Sequence, residues 1–407
     1  MKILYLHQFF STPIGTCGTR SYEFATRLTS KGHTVDMVTS SAYLPKAWKL
    51  KKGWQTRHVD GIILHIYHLD YSNEDSFNKR IIKFIKFSVA CFFKSRKISC
   101  DVVFATSTPL TIGIPGVFSA RKHKVPLVFE VRDLWPELPI AMGVIKNPVV
   151  IKLLKIFESW IYRNSAKVVA LSPGMAEGVL STGYKKENIS IIPNACDISL
   201  FQKEDNDHTS FRNRYDWLKQ NPMLLYAGTL GVINGVSYLV DIAHSLLYIN
   251  PEVRVVVIGS GMERDSIIKQ AKEKKVWKVN FFLLEAMPKN ELAAAFSAAN
   301  ISTSLFIPVK EMWNNSANKF FDTLASGTPV AINYLGWQAD IINDSGVGLI
   351  LPPSDALLSA KKINQAITNK EWLRSSGCSA RKIALRDFDR DKLAQRFEKV
   401  IVESIND

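Results

Sequence analysis

The sequence predicts an α/β protein built from two Rossmann-like halves. Three observations carry that prediction. Short runs rich in β-branched and aromatic residues alternate with stretches of helical spacing. About a dozen such runs occur, more than one doubly wound sheet usually holds. The rhythm stops at residues 201–222, "FQKEDNDHTSFRNRYDWLKQNP", a polar stretch without a strand pattern, and then restarts. Strands alternating with helices imply parallel sheets covered by helices on both faces.

In order, the first-half strand candidates are "KILYL", "TVDMVTS", "DVVFATS", "PLVFEV", "KVVALS" and "ISIIPN". "KILYL" opens the chain behind a single Lys, with no small-residue cleavage site after it. It is expected to be a first strand and not a signal peptide. After the polar connector come "MLLYAGT", "VRVVVIG", "VNFFLL", "NISTSLF", "PVAINY" and "GVGLIL". "MLLYAGT" begins the second half much as "KILYLHQ" begins the first. From Asp391 to Ile405, Leu393, Phe397, Val400 and Ile401 fall at helical spacing, which predicts a terminal helix. The expected domains are 1–203 joined by 386–407, and 204–385. No apolar run reaches the ~18 residues that a spanning helix needs.

The 407 residues carry a net charge of +15, which makes nucleic acid, anionic lipid and phosphorylated small molecules candidate partners. The five cysteines, Cys17, Cys91, Cys100, Cys196 and Cys378, form no CxxC pair and are odd in number. They suit a reducing cytosol better than a disulfide framework, and they do not have the pattern of a zinc site.

In parallel α/β sheets, ligands bind beyond the carboxyl ends of the strands. Three glycine-bearing turns fall there: Gly15 to Gly18, Gly228-Thr229-Leu230-Gly231, and Gly259-Ser260-Gly261. Glycine lets backbone N–H groups approach a diphosphate closely. None of the three fits the full GxGxxG or P-loop pattern. Arg20 falls in the first turn of the helix that follows, where a cation opposes the dipole unless an anion is bound. "FEVRDLWPELP" sets Glu130, Arg132 and Asp133 at the end of a strand, where Pro136 and Pro139 forbid an immediate helix. "NNSANKFFDTLASGTPVAINY" places Asn314, Asn315 and Ser316 ahead of a helix bearing Lys319 and Asp322. A helix start and a lysine favour a phosphate, while a carboxylate three residues on favours sugar hydroxyls. Plain capping with a solvated Lys319–Asp322 pair is the alternative. Candidate metal carboxylates, Asp205/Asp207 and Asp387/Asp389/Asp391, do not directly follow a strand and are expected to be solvated. No metal is expected.

The positive charge is concentrated in "SFNKRIIKFIKFSVACFFKSRK", 76–97, which has no acidic residue. Lys83, Phe84, Lys86 and Phe87 lie in it, and the mixture of cations with aromatics and aliphatics suggests a helix lying in a membrane interface. "PKAWKLKKGWQTR" adds Trp48 and Trp54, a residue type that favours the headgroup region. A core helix with a basic solvent face is the alternative. Nucleic-acid binding is not expected, because basic residues there track a groove and are not interleaved with so many large aliphatics.

The chain resembles the retaining, metal-independent glycosyltransferases of the GT-B fold, family four, in the branch of bacterial N-acetyl-fucosamine and colanic-acid-type transferases. The resemblance runs through "GTCGTRSYEFATRLTSKGHTVDMVT", "EVRDLWPELPIAMG", "ALSPGMAEGVLSTGYKKENISIIPNACD", "YAGTLG" and "NKFFDTLASGTPV". It implies two Rossmann-like domains facing a cleft, with the terminal helix crossing back to the first. It also implies a UDP-sugar donor, a lipid-linked saccharide acceptor, and a cytoplasmic enzyme peripheral to the membrane. By the same resemblance, Gly15, Gly18 and Arg20 approach the donor diphosphate from the first domain. Glu130, Arg132 and Asp133 stand at the reaction centre or acceptor side. Gly228, Thr229, Arg264, Asn314, Asn315, Ser316 and Lys319 surround the donor's phosphates and sugar, Met287 meets the base, and Asp322 holds the ribose. Two departures stand out. The family's two Glu, spaced by seven residues, are Asn314 and Asp322 here, and the cation usual after "YAG" is missing from "TLGVINGV". Lys319, Arg20 or Arg264 must then carry more of the phosphate charge, since one close ion pair contributes about 4 kcal/mol at an effective dielectric near 20. A two-domain UDP-sugar epimerase and a membrane scaffold with a degenerate site are the rival functions.

Overall fold

A computed structural model describes residues 1–15, 18–71, 75–201 and 206–406. The chain divides into two compact units, 1–193 with 314–316 and 391–407, and 194–313 with 317–390. The division falls at 193/194 and 390/391, against the expected 203/204 and 385/386. Residues 195–197 account for part of the difference. The Cys196 N–H donates to Phe388 O at 3.0 Å and Arg390 Nη2 donates to Ala195 O at 2.9 Å, so this stretch packs with the second unit.

The first sheet contains β1 (Lys2–Leu6), β2 (Thr34–Ser40), β3 (Trp54–Val59), β4 (Ile62–Tyr67), β5 (Val102–Thr106), β6 (Leu127–Val131), β7 (Lys167–Ala170) and β8 (Ile189–Ile191). Their order is β3-β4-β2-β1-β5-β6-β7-β8, parallel except for the β3–β4 pair. The second sheet is wholly parallel. It contains β9 (Met223–Ala227), β10 (Arg254–Ile258), β11 (Phe281–Leu284), β12 (Ile301–Ser304), β13 (Val330–Ile332) and β14 (Gly348–Ile350), in the order β11-β10-β9-β12-β13-β14. The twelve runs read from the sequence each fall on a strand. Strands such as β1, β5, β9 and β10 are apolar without alternation because helices cover both their faces.

The hairpin β3–β4 is additional. Its turn is Asp60-Gly61, with φ of 47° and 82°, the left-handed pair that a tight antiparallel connection needs. It changes the reading of two tryptophans. Trp54 opens β3, packs on Tyr67 at 5.1 Å and lies under Lys94, while Trp48 lies under Arg57. Both are half-buried, Trp54 in the edge strand β3 and Trp48 in the turn Lys46–Trp48 that precedes it, and both rings are engaged within the protein.

The Phe77–Ser95 helix is also turned otherwise than expected. Phe84 and Phe87 are buried, and Phe87 packs into the core with Cys91, Leu4 and Val38. Lys83 binds Asp75 at 2.5 Å, while Lys86 is exposed. The outward apolar residues are Ile82, Ile85, Val89 and Phe93. This helix carries large apolar residues on every side, so tertiary packing and not periodicity sets which face is buried.

The terminal helix, Arg390–Asn406, belongs from residue 391 to the first unit. Phe397 packs against Phe24 and Phe104 with ring centroids 4.8 and 4.7 Å apart, and Arg27 pairs with Asp391 at 2.6 Å. Cys91, Cys100, Cys196 and Cys378 are free thiols. Cys17 and Asp205 lie outside the described residues. Asp387 is gripped by Arg386, and among the described residues no three His, Cys, Asp or Glu side chains are grouped to hold a metal ion.

Candidate functional site

The carboxyl edge of the first sheet holds the residues after β1, β5 and β6. Glu130 still lies within β6, opposite Thr106 of β5 in register. It is fully buried. Arg20 Nε donates to Glu130 Oε1 at 3.0 Å and Thr106 Oγ1 donates to Oε2 at 2.6 Å. Arg20 spends its remaining donors on the carbonyls of Pro193 (2.6 Å) and Ile192 (2.9 Å) and stacks over Phe24. This revises two expectations. Arg20 is sealed from solvent and bound on all sides, so it offers nothing to a diphosphate. Glu130 is the anion that makes burying Arg20 tolerable, and has no free oxygen for a reacting group. Together they clamp the first helix, the sheet and the segment after β8.

Arg132 and Asp133 emerge beyond the strand. Asp133 is exposed and accepts from Thr108 Oγ1 at 2.7 Å. Arg132 Nη1 donates to Nε2 of buried His7 at 3.1 Å, an acceptor role that requires neutral imidazole. Burial first, and the Arg132 charge second, push the His7 pKa well below its ordinary value. His7 directly follows β1, a position the sequence reading left without a role. Nearby, the Gly15 N–H donates to Thr12 O at 2.9 Å, and a Cβ at Gly15 would come within 2.6 Å of Ser11 Oγ, so a larger residue would have to displace that hydroxyl. Gly18 is exposed, and Thr16 and Cys17 lie outside the described residues.

The carboxyl edge of the second sheet holds the denser cluster. Lys319 leaves the second position of the Asn318–Ala325 helix and runs under the Gly228 turn, where an added Cβ would meet its Cε at 3.3 Å. Its Nζ donates to Tyr226 Oη at 3.1 Å and lies over the rings of Tyr226 (4.7 Å) and Phe306 (5.3 Å). Tyr226 donates in turn to Thr229 O at 2.8 Å. With the Asn234 amide oriented to satisfy both neighbours, its oxygen accepts from Lys319 Nζ at 3.2 Å and its nitrogen donates to Thr229 O at 3.0 Å. No carboxylate among the described residues pairs with Lys319. Burial without a counter-charge pushes its pKa down to about 7.

Asp322, one turn on, does not pair with Lys319, so the solvated pair considered from the sequence does not form. Its carboxylate faces Lys289 at 3.7 Å. Lys289 also binds Asp197 at 2.5 Å, and Arg390 grips Asp197 through Nε and Nη2. Arg264 begins the Arg264–Glu273 helix, and its charge is engaged by Glu285 at 2.5 Å. Met287 lies in the loop after β11, half-buried. Asn314, Asn315 and Ser316 group with the first unit, where Ser172 Oγ donates to Asn314 O at 2.6 Å. The expected continuous loop therefore divides: 314–316 pack with one unit, and Lys319 and Asp322 with the other.

Tyr226, Asn234, Phe306, Lys289 and Asp197 were not read from the sequence as site residues. Asn234-Gly235 was visible as a turn signal, and Tyr226 as the aromatic of "YAG". Lys289 and Asp197 are separated by 92 positions and carry no local signal.

Two α/β units, each with polar residues at the carboxyl edge of its sheet, are the architecture of two-domain α/β proteins that bind their ligands at those edges. Residues 15–195 match the "Glycosyl transferase 4-like domain" and residues 207–382 match "Glycosyl transferases group 1". The chain belongs to this glycosyltransferase family and has the GT-B fold. It is 24% identical over 298 residues to WcaI of Escherichia coli K12, described as a colanic acid biosynthesis glycosyl transferase, covering 70% of this chain and 72% of that one. It is 25% identical over 297 residues to the glycosyltransferase WbjE of Pseudomonas aeruginosa, covering 70% of each. Among solved structures, HepE of Anabaena in complex with UDP superposes with a TM-score of 0.73 at 16% identity, covering 99% of this chain and 100% of that one. Sucrose-phosphate synthase of Thermosynechococcus elongatus gives 0.78 at 17% identity over 99% and 98%.

Proposed function

We propose that this glycosyltransferase moves a sugar, an N-acetylated or deoxy amino hexose, from a UDP-linked donor to a polyprenyl-diphosphate-linked saccharide, with retention at the anomeric carbon and without a metal, in bacterial surface-polysaccharide synthesis. The observation that carries it is the Lys319 cage: a lysine lacking a counter-charge beneath a glycine turn at the carboxyl edge of a parallel sheet. The donor's diphosphate completes that cage, and the Asp322 carboxylate accepts from the ribose hydroxyls. WcaI supports the polysaccharide setting and HepE with UDP-glucose the donor class.

The bond that breaks joins the anomeric carbon to the diphosphate oxygen, and its electron pair leaves with UDP. The bond that forms joins the same carbon to an acceptor hydroxyl oxygen. The acceptor's proton passes to the departing diphosphate, and Lys319 absorbs the charge shed there. On the first unit, Arg132 and Asp133 hold the acceptor, with Arg132 steadied by His7.

The acceptor's lipid carrier requires a docking face, and the first unit offers one. Ile82, Ile85, Val89 and Phe93 on the Phe77–Ser95 helix point outward, as do Val149, Leu153 and Ile156 on the Pro148–Arg163 helix. Between them the Gly113–His123 helix contacts both and exposes Phe118. Exposed Lys79, Lys86, Lys152 and Lys155 flank the apolar residues, the pattern that suits an anionic leaflet on the cytoplasmic side.

The deciding experiment is a UDP-sugar screen with a polyprenyl-diphosphate saccharide, in EDTA, with NMR of the product's anomeric configuration. An inverted linkage would overturn retention. Activity lost in EDTA and restored by magnesium or manganese would overturn the metal-free mechanism. An epimerised donor recovered in the absence of acceptor would favour the epimerase instead.

A further inference from the structure

Asp322 is part of a partly buried chain of alternating charge. Arg390 and Lys289 are the cations and Asp197 and Asp322 the anions, so the four balance. The sharing is unequal. Lys289 Nζ sits 2.5 Å from Asp197 and 3.7 Å from Asp322, within ion-pair range of the second but beyond a hydrogen bond. Asp322 Oδ1 is buried and makes no hydrogen bond in the described structure. The Asp322 carboxylate thus faces a cation on its buried Oδ1 side without spending a hydrogen bond on it, and the side chain keeps 14% exposure for a ligand hydroxyl.

We propose that Lys289 is a positioning residue for donor binding: anchored on Asp197, it keeps Asp322 ionised from the buried Oδ1 side while leaving the carboxylate free to accept from a hydroxyl of the nucleotide. This rests on the assignment of Asp322 to the ribose. The charged groups facing Asp322 are Lys289, Asp197 and Arg390, with the Cys196 thiol beside them. Burial raises the Asp322 pKa and Lys289 is the largest opposing influence. Burial lowers the Lys289 pKa, but Asp322 and Asp197 more than offset it and hold it above the ordinary value. Asp197 is held at about 2 despite its burial, by Arg390 and Lys289.

Protonated Asp322 loses acceptor capacity, so donor affinity should fall on acidification through its raised pKa. Without Lys289 that fall moves to higher pH. The test is UDP titration by calorimetry between pH 5 and 8. Lys289→Met should move the acid limb upward by about one pH unit, which is tenfold in affinity on that limb, and Lys289→Arg should restore it. Asp197→Asn gives Lys289 wholly to Asp322 and should move the limb downward. Opposite shifts from two variants of one cluster are not produced by loosened packing. Unshifted profiles in both, with Asp322→Asn still weakening UDP, would overturn the role of Lys289 alone. UDP affinity unchanged in Asp322→Asn would overturn the ribose assignment beneath it.

Discussion

Lys319→Met is the sharpest perturbation of the donor site, because it removes charge and keeps most of the apolar stem between Tyr226 and Phe306. A hydrogen bond to a charged group contributes about 1.5–3 kcal/mol net, so UDP affinity should fall roughly 10- to 150-fold. The pH dependence is more diagnostic. With its pKa at about 7 in the free protein, Lys319 is mostly neutral at pH 8. A bound diphosphate stabilises the ammonium and raises that pKa, so binding at pH 8 draws in close to one proton. The terminal phosphate of UDP, whose second pKa is roughly 6, is already ionised at that pH and contributes little. Affinity should therefore weaken as pH rises above 7, approaching tenfold per unit until the bound-state pKa is passed. Calorimetry at pH 8 in two buffers of different ionisation enthalpy measures the proton directly. Uptake should disappear in Lys319→Met. Saturable UDP binding with no buffer dependence, or equal uptake in wild type and variant, would refute the reasoning.

The same logic governs the free fold. A lysine whose pKa is lowered on folding binds fewer protons than in the unfolded chain, so its contribution makes stability rise with pH between about 7 and 10.5, a slope that saturating UDP should reduce in thermal melts. Glu158 is the opposite case. Burial first, then Glu137, push its pKa up to about 8, so the folded chain holds a proton that the unfolded chain releases near 4.5; that contribution is present below 4.5, is lost as pH rises toward 8, and Glu158→Gln should flatten the decline in urea unfolding. Arg20→Ala strands Glu130 without its partner and should cost about 3–5 kcal/mol in chemical denaturation, with any loss of activity following the loss of fold. Ile85→Asp with Phe93→Asp should abolish co-sedimentation with anionic vesicles, whereas Trp54→Ala should leave it intact and lower the melting temperature instead.

Local patterns made much of this fold legible. Each of the twelve strand runs announced itself by composition, because a strand covered on both faces needs little from distant sequence. The hairpin β3–β4 was equally local: "WQTRHV" and "IILHIY" flank Asp60-Gly61, a strong hairpin signal. It was obscured because its tryptophans and lysines also fit an interfacial patch. The Phe77–Ser95 helix shows a different limit. Its composition showed a basic amphipathic element, but with apolar residues all round it the choice between Phe84/Phe87 and Ile82/Ile85 depends on Leu4 and Val38, over forty residues away. The site divides in the same way. The placement of Lys319 and Asp322 in the first turns of a helix was legible, because a helix start leaves a local pattern. The engagement of Arg20 by Glu130, 110 residues on, was not. From the sequence alone, a buried clamp and a phosphate ligand look alike, since both are an arginine near a glycine turn.

On the proposed reading, the two lysines of the second unit divide the work of a donor site that lacks the usual cation after "YAG". A permanent cation buried there would carry its desolvation penalty in the empty protein. Lys289 avoids that penalty by sitting between carboxylates, but its charge is thereby committed and unavailable to phosphate. Lys319 avoids it by giving up its proton, in a cage of two rings, a phenol and an amide that solvates either form. Only the second arrangement leaves charge to be recruited by a ligand, and in the proposed site a diphosphate would supply the missing negative partner. Product UDP would hold that proton as firmly as donor does. Release of UDP should then accelerate as pH rises above 7, and if product departure limits turnover, kcat should rise over the same interval in which donor affinity declines. A kcat profile flat across that interval, with rapid-quench data showing release to be the slow step, would separate Lys319 protonation from the departure of product.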